Sequence, residues 1–203
     1  QRNPLVMATE RKQNRKEEIL GTLAHMLETS LGKPITTARL AAEVGVSEAA
    51  LYRHFPSKAK MFDDLINLIE DILLGSTNRM LEQEKNTMAR VREMLLILFR
   101  LVEQSPGMSR MLTGDALMGE HERLRLRIVM LFDKFESQMK QVLRERRLRE
   151  GAEFATDESV LSNVVMAYAE GKLLQFVRSG FKTKPTAQFD TQWALIERQL
   201  LGS

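Results

Sequence analysis

Between Thr36 and Lys58 the chain reads TTARLAAEVGVSEAALYRHFPSK, and its caps, turn and apolar spacing define two short helices meeting at Gly45. Thr36 stands where a helix N-cap belongs, ahead of the small apolar residues Ala38, Leu40, Ala41, Ala42 and Val44. Gly45 follows the last turn, where a left-handed residue closes a helix without a Cβ clash. Ser47 caps a second helix, and Glu48 in its first turn suits the helix dipole. Ala41, Gly45 and Leu51 occupy the small-residue, turn and buried-aliphatic places of a helix-turn-helix.

In the second helix Leu51 and Phe55 are spaced i, i+4 and belong to a small core, which leaves Ser47, Glu48, Ala49, Ala50, Tyr52 and Arg53 facing outward. Short side chains at the leading end let such a helix press into a major groove, where base edges are within reach. Tyr52 and His54 can donate hydrogen bonds to phosphates, and so can Lys58 at the start of the next helix. The helix N-terminus at Thr36 and Thr37, and the one at Ser57, add backbone N–H groups. Arg53 fits either a guanine contact or a phosphate clamp.

A net charge of +3 over 203 residues says little about a nucleic-acid partner, but the distribution says more. Arg11, Lys12, Arg15 and Lys16 cluster ahead of the first amphipathic helix, with Arg2 further out, and beside a helix-turn-helix they predict a phosphate-binding arm. Residues 1–9 are expected to be disordered, with Gln1 to Val6 a cloning remnant and Met7 the natural start.

The spacing of apolar residues predicts helices throughout. Lys16 to Ser30 carries Ile19, Leu20, Leu23, Met26 and Leu27 on one face, and Gly32 and Pro34 end it. A long helix from Lys58 to about Met80 or Glu84 should tie the head to the body. Met88 to Val102, apolar on nearly every side, belongs in the middle of a bundle. Pro106-Gly107 stops it, and Met108 to Leu112 is a short amphipathic segment. Glu120 to Arg149 is predicted as one helix ending in arginines interleaved with glutamates, a solvated C-terminus or else a second phosphate patch. A helix from Thr156 or Asp157 includes Val160 to Phe176, a polar loop spans Phe181 to Phe189, and a last helix, Gln192 to Leu201, presents Trp193, Ile196 and Leu200. The expected division is a DNA-binding domain at 10–57 and a regulatory and dimerisation domain at 58–203.

Catalysis finds no support in the residues, and neither catalytic, metal nor cofactor sites are expected. There is no cysteine, and His25, His54 and His121 have no partners at metal-ligand spacing. Asp63 and Asp64 point to different sides of a helix. Gly171-Lys172 lacks the other residues of a phosphate loop. No apolar run is long enough to span a bilayer, and a location in the cytoplasm on the nucleoid is expected.

The order of helix, TARLAAEVGVSEAALYRHFPSK and long helix resembles the DNA-binding head of the TetR family. Downstream, LTGDALMGEHERLRLRI, VLRERRLREG and FVRSGFKTKPT, with Phe189-Asp190 and Trp193, resemble the nucleoid-occlusion branch of that family in gamma-proteobacteria. The resemblance covers the chain from Met7. It implies an all-α fold, a three-helix head on a C-terminal helical bundle that dimerises. It also implies homodimers, one or several per site, on palindromic double-stranded chromosomal DNA, which block assembly of the tubulin-like division protein FtsZ. A ligand-responsive transcriptional repressor is the alternative. For the FtsZ tail, the expected groove lies between the long helix and the all-apolar helix, rimmed by Leu68, Ile72, Met94, Ile97, Arg100 and Leu101. By the same resemblance, Val164, Ala167, Tyr168, Gly171, Leu174 and Trp193 form the dimer interface in a four-helix bundle.

Overall fold

Apolar residues at helical spacing shape the long helices, and those that begin at Lys58, Thr87, Glu122 and Glu158 carry side-chain N-caps. The computed structural model describes the backbone of residues 4–202 and the side chains of 8–199, 201 and 202; among these there is no strand. The expectations for Arg2 and for the Leu200 side chain lie outside the described residues.

The helices are α1 Pro4–Thr29, α2 Thr37–Val44, α3 Glu48–His54, α4 Lys58–Gln83, α5 Thr87–Gln104, α6 Pro106–Leu112, α7 Glu122–Arg144, α8 Arg146–Glu150, α9 Glu158–Arg178 and α10 Phe189–Leu200. Helix α5 runs through the middle, with Val91, Met94, Leu95, Leu98, Phe99 and Val102 wholly buried. Helices α1, α2 and α3 form the head around Ile19, Leu23, Leu40, Leu51 and Phe55, and α1 also lies along α6 of the body.

Four boundaries differ from the sequence expectations. Helix α1 already includes Pro4, so the described part of the stretch expected to be a disordered arm is helical, and residues 1–3 lie outside the described residues. Helix α6 likewise starts on Pro106 instead of after it, and it is buried on all sides, not amphipathic. Its Arg110 donates to the Leu27 carbonyl at the end of α1 (2.8 Å) and to Asp115 (2.6 Å), which satisfies a buried cation.

The third difference is a break at Glu145, where a single helix was expected. The turn lets α8 return Glu150 to the start of α5, where its carboxylate accepts from the Thr87 N–H at 2.7 Å. Arg146, Arg147 and Arg149 pair with Glu150, Glu153 and Glu145, so these arginines answer local acids. Finally, α10 starts at Phe189, because Gln188 in the left-handed region (φ 58°) turns Phe189 inward onto Phe99 and Trp193.

Along the seam of α4 and α7, polar partners step down both helices together: Lys58 with Glu120, Asp63 and Asn67 with Arg127, Glu70 with Lys134, Asn78 with Gln138. The near-constant offset means that the two helices run parallel. This ladder fastens the helix leaving the head to the body.

Candidate nucleic-acid interface

Three N-caps set the geometry of the head. The Thr36 hydroxyl accepts from Arg39 N (3.2 Å), Ser47 from Ala50 N (3.1 Å) and Ser57 from Lys60 N (3.1 Å). Each hydroxyl keeps its own hydrogen to donate outward. Gly45, at φ 82°, closes α2, and its N–H and that of Val46 reach back to the Ala41 carbonyl, both at 2.9 Å. Leu51 and Phe55 are fully buried, which fixes the roll of α3 and leaves Ser47, Glu48, Ala49, Tyr52 and Arg53 exposed, with Ala50 half-buried.

The outward face is already organised by hydrogen bonds. The Tyr52 hydroxyl donates to Thr37 Oγ1 (3.3 Å), and Thr37 donates to Glu48 Oε2 (3.1 Å), so a chain of three side chains spans α2 and α3. It holds the Tyr52 ring upright and restrains the Glu48 carboxylate. Arg39, which the sequence did not single out, braces the α1–α2 connection by donating to the Pro34 carbonyl (2.6 Å) and to Ser30 Oγ (2.9 Å).

Arg11, Lys12 and Arg15 stand on α1 rather than on a loose arm. With Asn14, Glu18 and His54 they line a hollow between α1 and α3. The helical mounting places these cations beside α3. Lys16 lies over the Phe55 ring at 5.5 Å. Partial burial holds the His54 imidazole below its ordinary pKa of 6.5, and Arg15, Lys12, Lys16 and Arg53 push it further down. Its Nδ1 is shielded without a hydrogen-bond partner. Burial and the surrounding cations thus both favour the neutral form of the ring.

Lys58 is placed as expected at the start of α4, but its ammonium already has an acceptor, Glu120 Oε1 at 2.6 Å, and lies 5.6 Å from the Phe62 ring. Glu120 was missed because it is 62 positions away along the chain, and no local pattern marks such a partner.

The residues expected to form a partner groove divide in two. Leu68 and Ile72 on α4 and Ile97 and Arg100 on α5 reach the surface at least in part. Met94 is wholly buried and Leu101 is 8% exposed, so neither forms a rim; both face the bundle core instead. Arg100 donates to Glu93 Oε1 (2.9 Å) and lines a hollow with Arg92, Leu96, Thr186, Phe189 and Asp190.

The expected dimer residues divide similarly. Val160, Val164, Ala167, Gly171 and Leu174 recur every three or four positions along one side of α9, where Val160, Val164 and Leu174 are 41–53% exposed. Trp193, in contrast, is 4% exposed and stacked on Phe189, and Tyr168 donates to Gln192 (2.8 Å) against Phe99. Trp193 thus belongs to the core of its own protomer, because Phe189 brings α10 down onto α5. The sequence reading also overlooked Leu126, Val129 and Met130, which are exposed on α7 alongside α9.

Comparison with known proteins covers both halves of the chain. Residues 33–65 match the model of bacterial regulatory proteins of the tetR family, and residues 85–201 match the SlmA-like, tetracyclin repressor-like C-terminal domain. The nucleoid occlusion factor SlmA of Shewanella denitrificans is 59% identical over 197 residues, which cover 97% of this chain and all of that protein. The SlmA of Shewanella frigidimarina is 58% identical over the same span. Among solved structures, the fatty acid degradation regulator FadR from Bacillus halodurans superposes with a TM-score of 0.79 over 98% of both chains at 12% identity. The TetR family transcriptional regulator PfmR from Thermus thermophilus gives 0.73 at 23% identity, over 90% of this chain and 98% of that one. At those identities the structures speak for the fold alone.

Proposed function

The chain belongs to the nucleoid occlusion factor SlmA group of the TetR family, and on that premise we propose that it binds palindromic chromosomal sites as a homodimer and, while bound, blocks FtsZ assembly over the nucleoid. The observation that carries this reading is that the 59% identity extends through the body as well as the head. A shared head would support DNA binding only. A shared body supports the same use of that binding.

Two α3 helices related by a two-fold axis would enter successive major-groove faces of a palindrome. The α9 stripe of Val160, Val164, Ala167, Gly171 and Leu174, flanked by Leu126, Val129 and Met130 of α7, supports a dimer built from α7 and α9 of each copy. For FtsZ, the surface around Leu68, Ile72, Ile97 and Arg100 remains the proposed contact, with Met94 and Leu101 as its supporting floor. A ligand-switched repressor needs an enclosed pocket in the body for its effector, whereas the middle of α5 is buried and apolar and the hollow lined by Asp115, Met118, Arg125, Leu174 and Arg178 opens to the surface. The protein would accordingly reside in the cytoplasm, on the nucleoid.

Mapping the bound sites across the host chromosome tests this reading. Many palindromes, sparse around the replication terminus, are the expected result. A single site beside the protein's own gene would overturn it in favour of a local repressor.

A further inference from the structure

We propose that Glu120 acts as an internal stand-in for DNA phosphate at Lys58 and thereby restrains DNA affinity. Lys58 is the first residue of α4, immediately after the Ser57 cap, so it stands at the helix N-terminus whose N–H groups would meet an incoming phosphate, while its ammonium is turned toward Phe62 and Glu120. In the DNA-free chain that ammonium is held by Glu120 Oε1 at 2.6 Å, with the two side chains 34% and 20% exposed. The pair is thus half-withdrawn from water but open to exchange.

Glu120 is itself well positioned. Its N–H bonds to the Leu117 carbonyl (3.1 Å), and the following residue, His121, caps α7 through Nδ1, which accepts from Arg123 N (3.1 Å). The carboxylate therefore sits on a fixed corner between the Asp115–Leu117 turn and α7. A phosphate arriving at α4 either takes Lys58 from Glu120 or shares the ammonium against the repulsion of a neighbouring carboxylate. Both routes oppose binding. The other rungs of the α4–α7 ladder lie one or more helical turns further from the head, so this pair alone couples the ladder to the DNA face among the described residues. Glu120 is a positioning residue in this account, acting through Lys58.

The inference rests on the assignment of the Thr36–Lys58 face to DNA, and its test separates the two. Affinity for a fluorescent duplex of random sequence is measured over a salt series for the wild type, Glu120→Gln, Glu120→Asp, Lys58→Met, the double variant of Glu120→Gln with Lys58→Met, and Glu122→Gln as a control for removing an acid nearby. Glu120→Gln is expected to tighten binding about two- to fivefold, the range of a partly exposed ion pair. Glu122→Gln should leave affinity unchanged, Glu120→Asp should keep the restraint, and the gain from Glu120→Gln should vanish in the Lys58→Met background. Unchanged or weaker binding by a Glu120→Gln protein that melts like wild type would overturn the inference, and so would an equal gain without Lys58. A wild-type protein with no salt-dependent duplex affinity would instead overturn the DNA-binding reading itself.

Discussion

Gly107 lies so close to Ala24 that a Cβ built on it would stand 2.0 Å from the Ala24 carbonyl oxygen and 3.0 Å from the Leu27 Cβ. Helix α6 therefore meets α1 backbone to backbone, and Arg110, one turn on, completes the joint by donating to the Leu27 carbonyl. The first helix of the head is in this way also a helix of the body. A shift of α6 has to be felt by α1, and through α1 by α3.

Gly107→Ala should accordingly lower stability by about 3 kcal/mol, since the obstacle is backbone and cannot rotate away. Urea unfolding followed by circular dichroism measures this. A change below about 0.5 kcal/mol, the size of an ordinary surface substitution, would mean that the two helices part easily.

Arg127 serves Asp63, Asn67 and Glu70 at once from a half-buried position. Arg127→Ala leaves two partly buried carboxylates on α4 without their shared cation, and a loss of about 1–3 kcal/mol is expected. Much of that loss should be recovered in the same variant when Asp63 is changed to Asn. Additive losses would show that the ladder does not act as a unit.

His54 gives the interface a pH dependence whose sign can be worked out. Its pKa is lowered in the folded, DNA-free protein, first by burial and then by Arg15, Lys12, Lys16 and Arg53. Below the ordinary value of 6.5 the unfolded chain takes up a proton that the folded chain resists, so stability falls as pH drops through that value. Bound phosphate favours the imidazolium, so binding takes up a proton and DNA affinity rises from pH 8 to pH 6. His54→Gln should flatten both trends. A wild-type affinity that is level across this range would remove His54 from the contact set.

Leu174→Arg, on the exposed stripe of α9, should yield monomers in sedimentation velocity and remove tight binding to palindromic DNA. Trp193→Phe should leave the dimer intact and reduce only thermal stability, because Trp193 packs within one protomer. A monomer from the Trp193 change would return α10 to the interface, and a dimer surviving the Leu174 change would mean that the interface lies elsewhere.

Local chemistry was readable from sequence wherever cause and effect lie within a turn or two. The caps Thr36, Ser47 and Ser57, the left-handed Gly45 and the buried pair Leu51 and Phe55 all follow from near neighbours. What escaped depends on partners far along the chain. Glu150 breaks a helix to reach Thr87, Glu120 holds Lys58, and Phe189 packs inward onto Phe99, across separations that no periodicity encodes. Met94 and Leu101 show the same limit: an apolar residue on a central helix looks alike whether it lines a groove or fills the core beneath it.

The central claim is that the DNA-bound protein acts on FtsZ, and sedimentation of FtsZ polymers formed with GTP tests it most directly. In the presence of this protein and a palindromic duplex taken from its mapped sites, the pelleted fraction should fall. The duplex alone should have no effect, and the protein without DNA should have a weaker one. With Arg100→Glu the inhibition should weaken while duplex affinity stays at the wild-type value. FtsZ that pellets equally with and without the DNA-bound protein would contradict the account.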